Sequence, residues 1–310
     1  RAGFRIQLGL RREGLRKVYV LGMGGSAAGG DIIASWLSDR PEIEVSVFKG
    51  QLPLGDMSDV LAIACSASGE TEETIEMMKT AAGKGATIVS VSAGGRLMEV
   101  SRKLGVPHVR MPNVVAPRYM LPFIVFSCLS VVNEALRLDC EQEAKEAFAQ
   151  MEAEGKEIGI GSPLASNPSK SLALSLLKKT PVIYGTKSTR GAGIRFKNAL
   201  NENAKRHAIF YGIPDAFHNE IEAWEGPSSG FVPVFLRHLS DAKRDRTRTD
   251  TMVNILSRLG KNPIEVSGRG RSSLAQLMTL VYRLDMVSYF VAVGLRRDPF
   301  PTRLIDRLKE

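Results

Sequence analysis

A chain of 310 residues, 44% hydrophobic, is long enough for two layered domains with sizeable cores, which excludes a disordered or fibrous protein. Lysine and arginine number 42 against 33 acidic residues, a net charge of +9 that attracts anionic partners without saying which. The basic runs at 1–17 and 243–248 are not interleaved with aromatics and sit in no recognisable nucleic-acid module, so nucleic-acid binding is not expected.

Taken in chain order, strand and helix patterns alternate. Residues 17–22 are an apolar, β-branched run ending in glycines, and 27–37 follow with helical composition. Strands are expected at 43–48 and 60–65, a helix at 72–82 closed by Gly83 and Gly85, a strand at 86–91, a short helix at 97–104 and a short strand at 106–111. Long helices are expected at 118–136 and 141–156. The composition then turns to Gly, Ser, Pro and Asn over 159–169, which marks a linker. A second α/β stretch follows, with strands at 181–184, 208–211, 232–237 and 264–266, helices at 191–200, 250–259 and 272–294, and a helical tail from Pro301. This order implies two domains, 1–158 and 159–310, each a mostly parallel sheet with helices on both faces. VYVLGMGGSAAGG and TPVIYGTKSTRGAG each place a glycine after a strand and another eight positions on, and Gly22 with Gly185 and Gly30 with Gly193 share one offset of 163. Duplication or a chance alignment of glycines would each produce this.

Cys65, Cys128 and Cys140 are odd in number and lack Cys-x-x-Cys spacing, which argues against a disulfide framework and a zinc site and for a reducing, cytoplasmic compartment. The most apolar stretch, 121–132, is short for a bilayer span and contains Pro122, so a buried helix rather than a membrane partner is expected. No secretory signal is visible, and the opening Arg1 in place of Met implies that amino-terminal residues are missing or were processed.

The most informative segment is ACSASGETEET, residues 64–74, which groups Ser66, Ser68, Thr71 and Thr74 around Gly69 between a strand and a helix. Hydroxyl donors, a glycine that lets the backbone approach, and free N–H groups at a helix start suit a phosphate. Ser68 and Thr71 are equally ordinary capping residues. Gly22, Gly24 and Gly25 do not make a dinucleotide fingerprint: the pattern is Gly-x-Gly-Gly-Ser, and the next strand ends at Phe48 and Lys49 without a carboxylate. Gly24, Gly25 and Ser26 better suit a turn that hugs a sugar or its phosphate.

Gly24-Gly25-Ser26 and the 66–74 segment resemble the sugar isomerase (SIS) domain family. NENAK (201–205), HNE (218–220) and the tail RRDPFPTRLIDRLK (296–309) narrow the resemblance to the bifunctional phosphoglucose/phosphomannose isomerases, over nearly the whole chain and in the expected order. That resemblance implies an α/β fold of two SIS subdomains and a homodimer acting on hexose 6-phosphates. Glucose 6-phosphate or mannose 6-phosphate would become fructose 6-phosphate through a cis-enediol, with no metal and no cofactor. It further implies Ser66, Ser68, Thr71 and Thr74 as the phosphate loop and Gly24, Gly25 and Ser26 as the sugar-lining loop. Arg118 would hold the reacting centre and Glu202 would be the base between C1 and C2. His218 would open the ring from the neighbouring subunit, Lys309 would lie near the substrate, and Thr302 would admit both epimers. The chemistry suits these residue types, since one carboxylate can serve both proton steps and an imidazole can open a ring near neutral pH.

On the residues alone, Glu202 reads as a solvated helix carboxylate, His218 as a capping or surface histidine, and Thr302 and Lys309 as solvated tail residues. Asp31 and Asp298 read as structural, and the methionines as core filler. Two positions depart from many relatives: Ala67 stands where they carry tyrosine, which enlarges the pocket, and Glu70 where they carry asparagine, which adds negative charge near a phosphate unless it points away. A non-catalytic sugar-phosphate sensor is the alternative. Such regulators usually carry a DNA-binding module before the SIS domain, and about sixteen residues precede the first strand here. An amino-sugar enzyme is a third reading, without the glutaminase domain that it would require.

Overall fold

The computed structural model describes residues 7–10, 14–114 and 117–308. The chain divides into two units, Arg1–Ala144 and Lys145–Glu310.

The first unit is built from β1 (Lys17–Leu21), α1 (Gly24–Trp36), β2 (Glu44–Phe48), β3 (Val60–Ser66), α2 (Glu72–Gly83), β4 (Thr87–Ser92), α3 (Gly95–Leu104), β5 (His108–Arg110) and α4 (Leu121–Leu136). All strand pairs are parallel, in the order β2-β1-β3-β4-β5. β3 is buried at all seven positions, as a central strand covered on both faces must be. On one face Tyr19, Leu21, Ala62 and Ala64 pack with Ile75, Met77 and Met78 of α2. On the other, α1 lies against the sheet through Gly30, where a Cβ would fall 2.7 Å from Val20 Cγ1.

α4 starts at Leu121, three residues later than expected, and residues Pro117–Met120 form a 3-10 turn. Pro122 has no N–H to offer the carbonyl of Arg118, so the α-helical ladder begins beyond it.

In the second unit, α5 (Glu141–Ile158) begins just before the division, and α6 (Pro168–Leu176), β6 (Thr180–Gly185), α7 (Arg190–Ala204), β7 (Ile209–Gly212), β8 (Phe231–Arg237), α8 (Lys243–Arg258), β9 (Ile264–Ser267), α9 (Ser273–Gly294) and α10 (Arg303–Arg307) follow. The parallel sheet runs β7-β6-β8-β9, the order of the first four strands of the other sheet. Gly193 does for α7 what Gly30 does for α1: a Cβ there would lie 2.3 Å from Phe210 Cε2. The matched glycines therefore mark the same helix-to-sheet approach in two sheets of the same order, which favours duplication over chance. α7 is fastened to α9 by the buried Arg195, whose Nε donates to Asp285 Oδ1 at 2.8 Å, and by Asn203 Nδ2, which donates to Ser288 Oγ at 2.8 Å.

Three helices differ from the sequence expectation here, the first being α7, which runs to Ala204, four residues beyond the expected end. α6 occupies part of the expected linker, opened by Asn167, whose Oδ1 accepts from Lys170 N at 3.0 Å, with Pro168 in the first turn. α8 starts at Lys243, seven residues earlier than expected, because its first two turns are solvated arginines and lysine, with the buried contacts Thr249, Met252 and Leu256 confined to its later part. Residues 118–136 and Ser273–Gly294 are each long and apolar enough to cross a bilayer, but more than half of each is buried in the protein, as in core helices.

Candidate active site

The hydroxyl loop lies at the carboxyl end of β3, the central strand of the first sheet, where parallel α/β sheets bind their ligands. Ser66 is fully buried, with Oγ 2.9 Å from Thr71 Oγ1 and accepting from Gly69 N at 3.0 Å. Gly69 has φ 81°, and a Cβ there would fall 1.9 Å from Gly94 O, so only glycine allows this turn. Ser68 is exposed and its Oγ accepts from Glu70 N at 3.1 Å. Thr71 occupies the cap position of α2 without a side-chain cap bond, and Met23 does the same for α1, which leaves first-turn N–H groups of both helices without side-chain partners. Ser26, buried in the first turn of α1, joins the loops, its Oγ accepting from Ala67 N at 3.1 Å. Gly24 and Gly25 stand beside it at the helix start. Thr74 sits deeper: its hydroxyl is fully buried and has no hydrogen-bond partner among the described residues.

Glu70 points away from this turn. Its Oε1 accepts from Arg96 N at 3.2 Å, at the start of α3, so the carboxylate faces the positive end of that helix. Arg118 lies in the 3-10 turn before α4, 7% exposed, with its guanidinium 5.5 Å from the Tyr119 ring centre.

In the second unit, Glu202 is half-buried in the last turn of α7 and lines a cavity of about 560 Å³ with Asn201, Lys205, Arg296, Arg297 and Thr302. Glu202 and Thr302 thus share one cavity. Asp298 and Asp31 are in structural roles, Asp298 Oδ1 accepting from Phe300 N at 2.8 Å and Asp31 pairing with Lys49 at 3.0 Å. Lys309 lies outside the described residues. His218 is exposed at the end of the 3-10 turn Asp215–His218 and does not line the Glu202 cavity. Just beyond it, Glu220 accepts from Tyr184 O–H at 2.6 Å, and Trp224 Nε1 donates to the same phenol oxygen at 2.6 Å. Burial pushes the Glu220 carboxyl up against the opposing effect of these bonds, and burial followed by the Glu220 carboxylate pushes the Tyr184 phenol up. Among the described residues, no group of three or more His, Cys, Asp or Glu could hold a metal ion.

Lys205, within NENAK, has no role in the sequence expectation, because the helix expected at 191–200 ends short of it; α7 runs to Ala204, which puts Lys205 directly after the helix end, where a lysine can turn back on the last carbonyls. A second missed feature is how the second unit's matching loop is closed. Leu21 pairs with Ala64 and Tyr184 with Phe235, so the glycine offset places Arg237, Leu239 and Ala242 where the first unit has Ser66, Ser68 and Thr71. No hydroxyl remains at those positions. Asp241, in the place of Glu70, turns inward, accepting from the Thr186 hydroxyl and from His238 N at 3.1 Å.

The fold is that of the sugar-phosphate isomerases: the tagatose-6-phosphate ketose/aldose isomerase from Escherichia coli superposes with a TM-score of 0.68 at 15% identity, over 93% of this chain and 84% of that one. Residues 165–310 match the bacterial phospho-glucose isomerase C-terminal SIS domain. The bifunctional phosphoglucose/phosphomannose isomerase of Caldicellulosiruptor bescii is 31% identical over 99% of this chain and 92% of its own length, and that of Aquifex aeolicus 33% identical over 94% and 89%. The chain belongs to the bifunctional phosphoglucose/phosphomannose isomerase family.

Proposed function

We propose that the protein is an aldose-ketose isomerase that interconverts glucose 6-phosphate and mannose 6-phosphate with fructose 6-phosphate through a cis-enediol intermediate. The observation that carries the reading is the Glu202 cavity, where a carboxylate suited to act as the base shares the lining with Arg296, Arg297 and Thr302. Proton abstraction from carbon next to a carbonyl needs both a base and positive charge for the oxygen that becomes anionic.

In this reading Ser66, Ser68, Thr71 and Thr74, with the first-turn N–H groups of α2, hold the phosphate, and Gly24, Gly25 and Ser26 line the sugar. Binding energy gathered at the phosphate, remote from the reacting carbons, orients C1 and C2. His218 moves the ring proton and Glu202 then carries a proton between C2 and C1, while Arg118 and Lys309 meet the enediolate charge. His218 serves the site of a second copy in a homodimer, a role that its exposure suits. Three free, buried cysteines suit a reducing cytoplasm. A coupled assay for fructose 6-phosphate, begun from each aldose without added metal, tests the proposal. Turnover of both aldoses is expected, and binding without turnover would favour a sugar-phosphate sensor.

A further inference from the structure

We infer that Lys205 is a positioning residue, an ammonium latch that fixes the backbone of Glu202 to the chain segment carrying Thr302; this rests on the reading of Glu202 as the base. α7 ends at Ala204, and Lys205 takes the left-handed conformation that reverses the chain, φ 53° and ψ 41°. That position is the usual place of a glycine, and a side chain there carries a backbone cost. What the lysine supplies instead is its ammonium group. Nζ folds back over the helix end, 2.9 Å from Glu202 O and 3.4 Å from Asn203 O, and reaches across to Asp298 O at 2.7 Å. Three N–H donors meet three carbonyls. Two of these belong to the last turn of α7, where carbonyls lack intrahelical partners and the helix dipole favours a cation.

The third carbonyl belongs to a stretch that is itself well held. Leaving α9, Leu295 N donates to Val291 O at 3.0 Å and Arg297 N to Ala292 O at 2.8 Å, and the Asp298 carboxylate fixes Phe300 N. Thr302 lies four residues beyond Asp298, in the wall of the cavity that Glu202 and Lys205 also line. Arg195 and Asn203 hold α7 on α9, whereas the Lys205 bonds join the base's own peptide group to the segment of the specificity hydroxyl. The separation of Glu202 and Thr302 is therefore set through Lys205.

Lys205→Gly separates this role from a role in folding, because glycine suits the left-handed position and removes the latch. The variant is expected to melt at or above the wild-type temperature. Its kcat should fall about 10- to 100-fold, with KM within about threefold, as for a small misplacement of a reacting group. The glucose-to-mannose rate ratio should shift as well, and Lys205→Met should show the same kinetic pattern. A Lys205→Gly enzyme with unaltered kcat and epimer ratio overturns the latch, as does a loss of rate that merely follows the unfolded fraction. Glu202→Gln, measured alongside, tests the underlying reading: if it retains turnover, the base assignment fails and the latch with it, whereas an inactive Glu202→Gln beside an unaffected Lys205→Gly rejects the latch alone.

Discussion

Ser66 and Thr71 hold their hydroxyl oxygens 2.9 Å apart across the turn that ends β3, and Ser66 also accepts from the Gly69 N–H. The pair braces the turn, and in the proposed function it is also the surface that holds the phosphate. Ser66→Ala removes an acceptor from a buried N–H and, in the proposed function, a donor to the phosphate. A hydrogen bond to a charged group contributes about 1.5–3 kcal/mol, so KM for both aldoses should rise about 10- to 100-fold. Inhibition by inorganic phosphate should weaken in parallel while kcat changes less. Unchanged phosphate inhibition would place the anion elsewhere.

Glu70 caps α3 and faces away from the turn. Glu70→Ala should therefore cost about 0.5–2 kcal/mol of stability, the usual range for a lost helix cap, visible as a lower melting temperature. Phosphate affinity should stay within about twofold, since the lost charge is directed at the helix. A large gain in affinity would show that the carboxylate acts on the ligand instead.

The alternation of strands and helices was legible because the central strands are unbroken apolar runs, VYVL in β1 and VLAIAC in β3, which a sheet covered on both faces requires. The start of α8 was not, because Lys243 to Arg248 offer solvent a charged face and the core no apolar stripe. α6 was hidden by its Gly, Ser and Pro surroundings, although Asn167-Pro168 is itself a helix-start signal. At the candidate site, the hydroxyl loop could be read from residue types, whereas the roles of Glu202, His218 and Thr302 came from resemblance alone. The direction of Glu70 depends on where α3 begins relative to the turn, and the reach of Lys205 on where Asp298 lies. Both are tertiary facts that local sequence does not encode.

The Tyr184-Glu220 pair gives the protein a defined pH response. The Glu220 carboxyl is raised on folding, so the stability it contributes is fully present below the unfolded carboxyl value of about 4.3 and is lost as pH rises through the folded value. Tyr184 is raised too, and its contribution is lost only on the alkaline side, above about pH 10. Denaturant titrations across this range should show wild-type stability falling relative to Glu220→Gln from about pH 4 upward, and relative to Tyr184→Phe above about pH 10. Parallel curves for wild type and variants would remove the pair as a source of pH dependence.

The central claim is that the Glu202 carboxylate carries hydrogen between the two carbons, and isotope transfer reads it directly. With glucose 6-phosphate deuterated at C2, the wild-type enzyme should deliver part of the label to C1 of fructose 6-phosphate. Glu202→Gln should bind the sugar phosphate yet form no labelled ketose. Label transfer by Glu202→Gln at the wild-type rate would contradict the account.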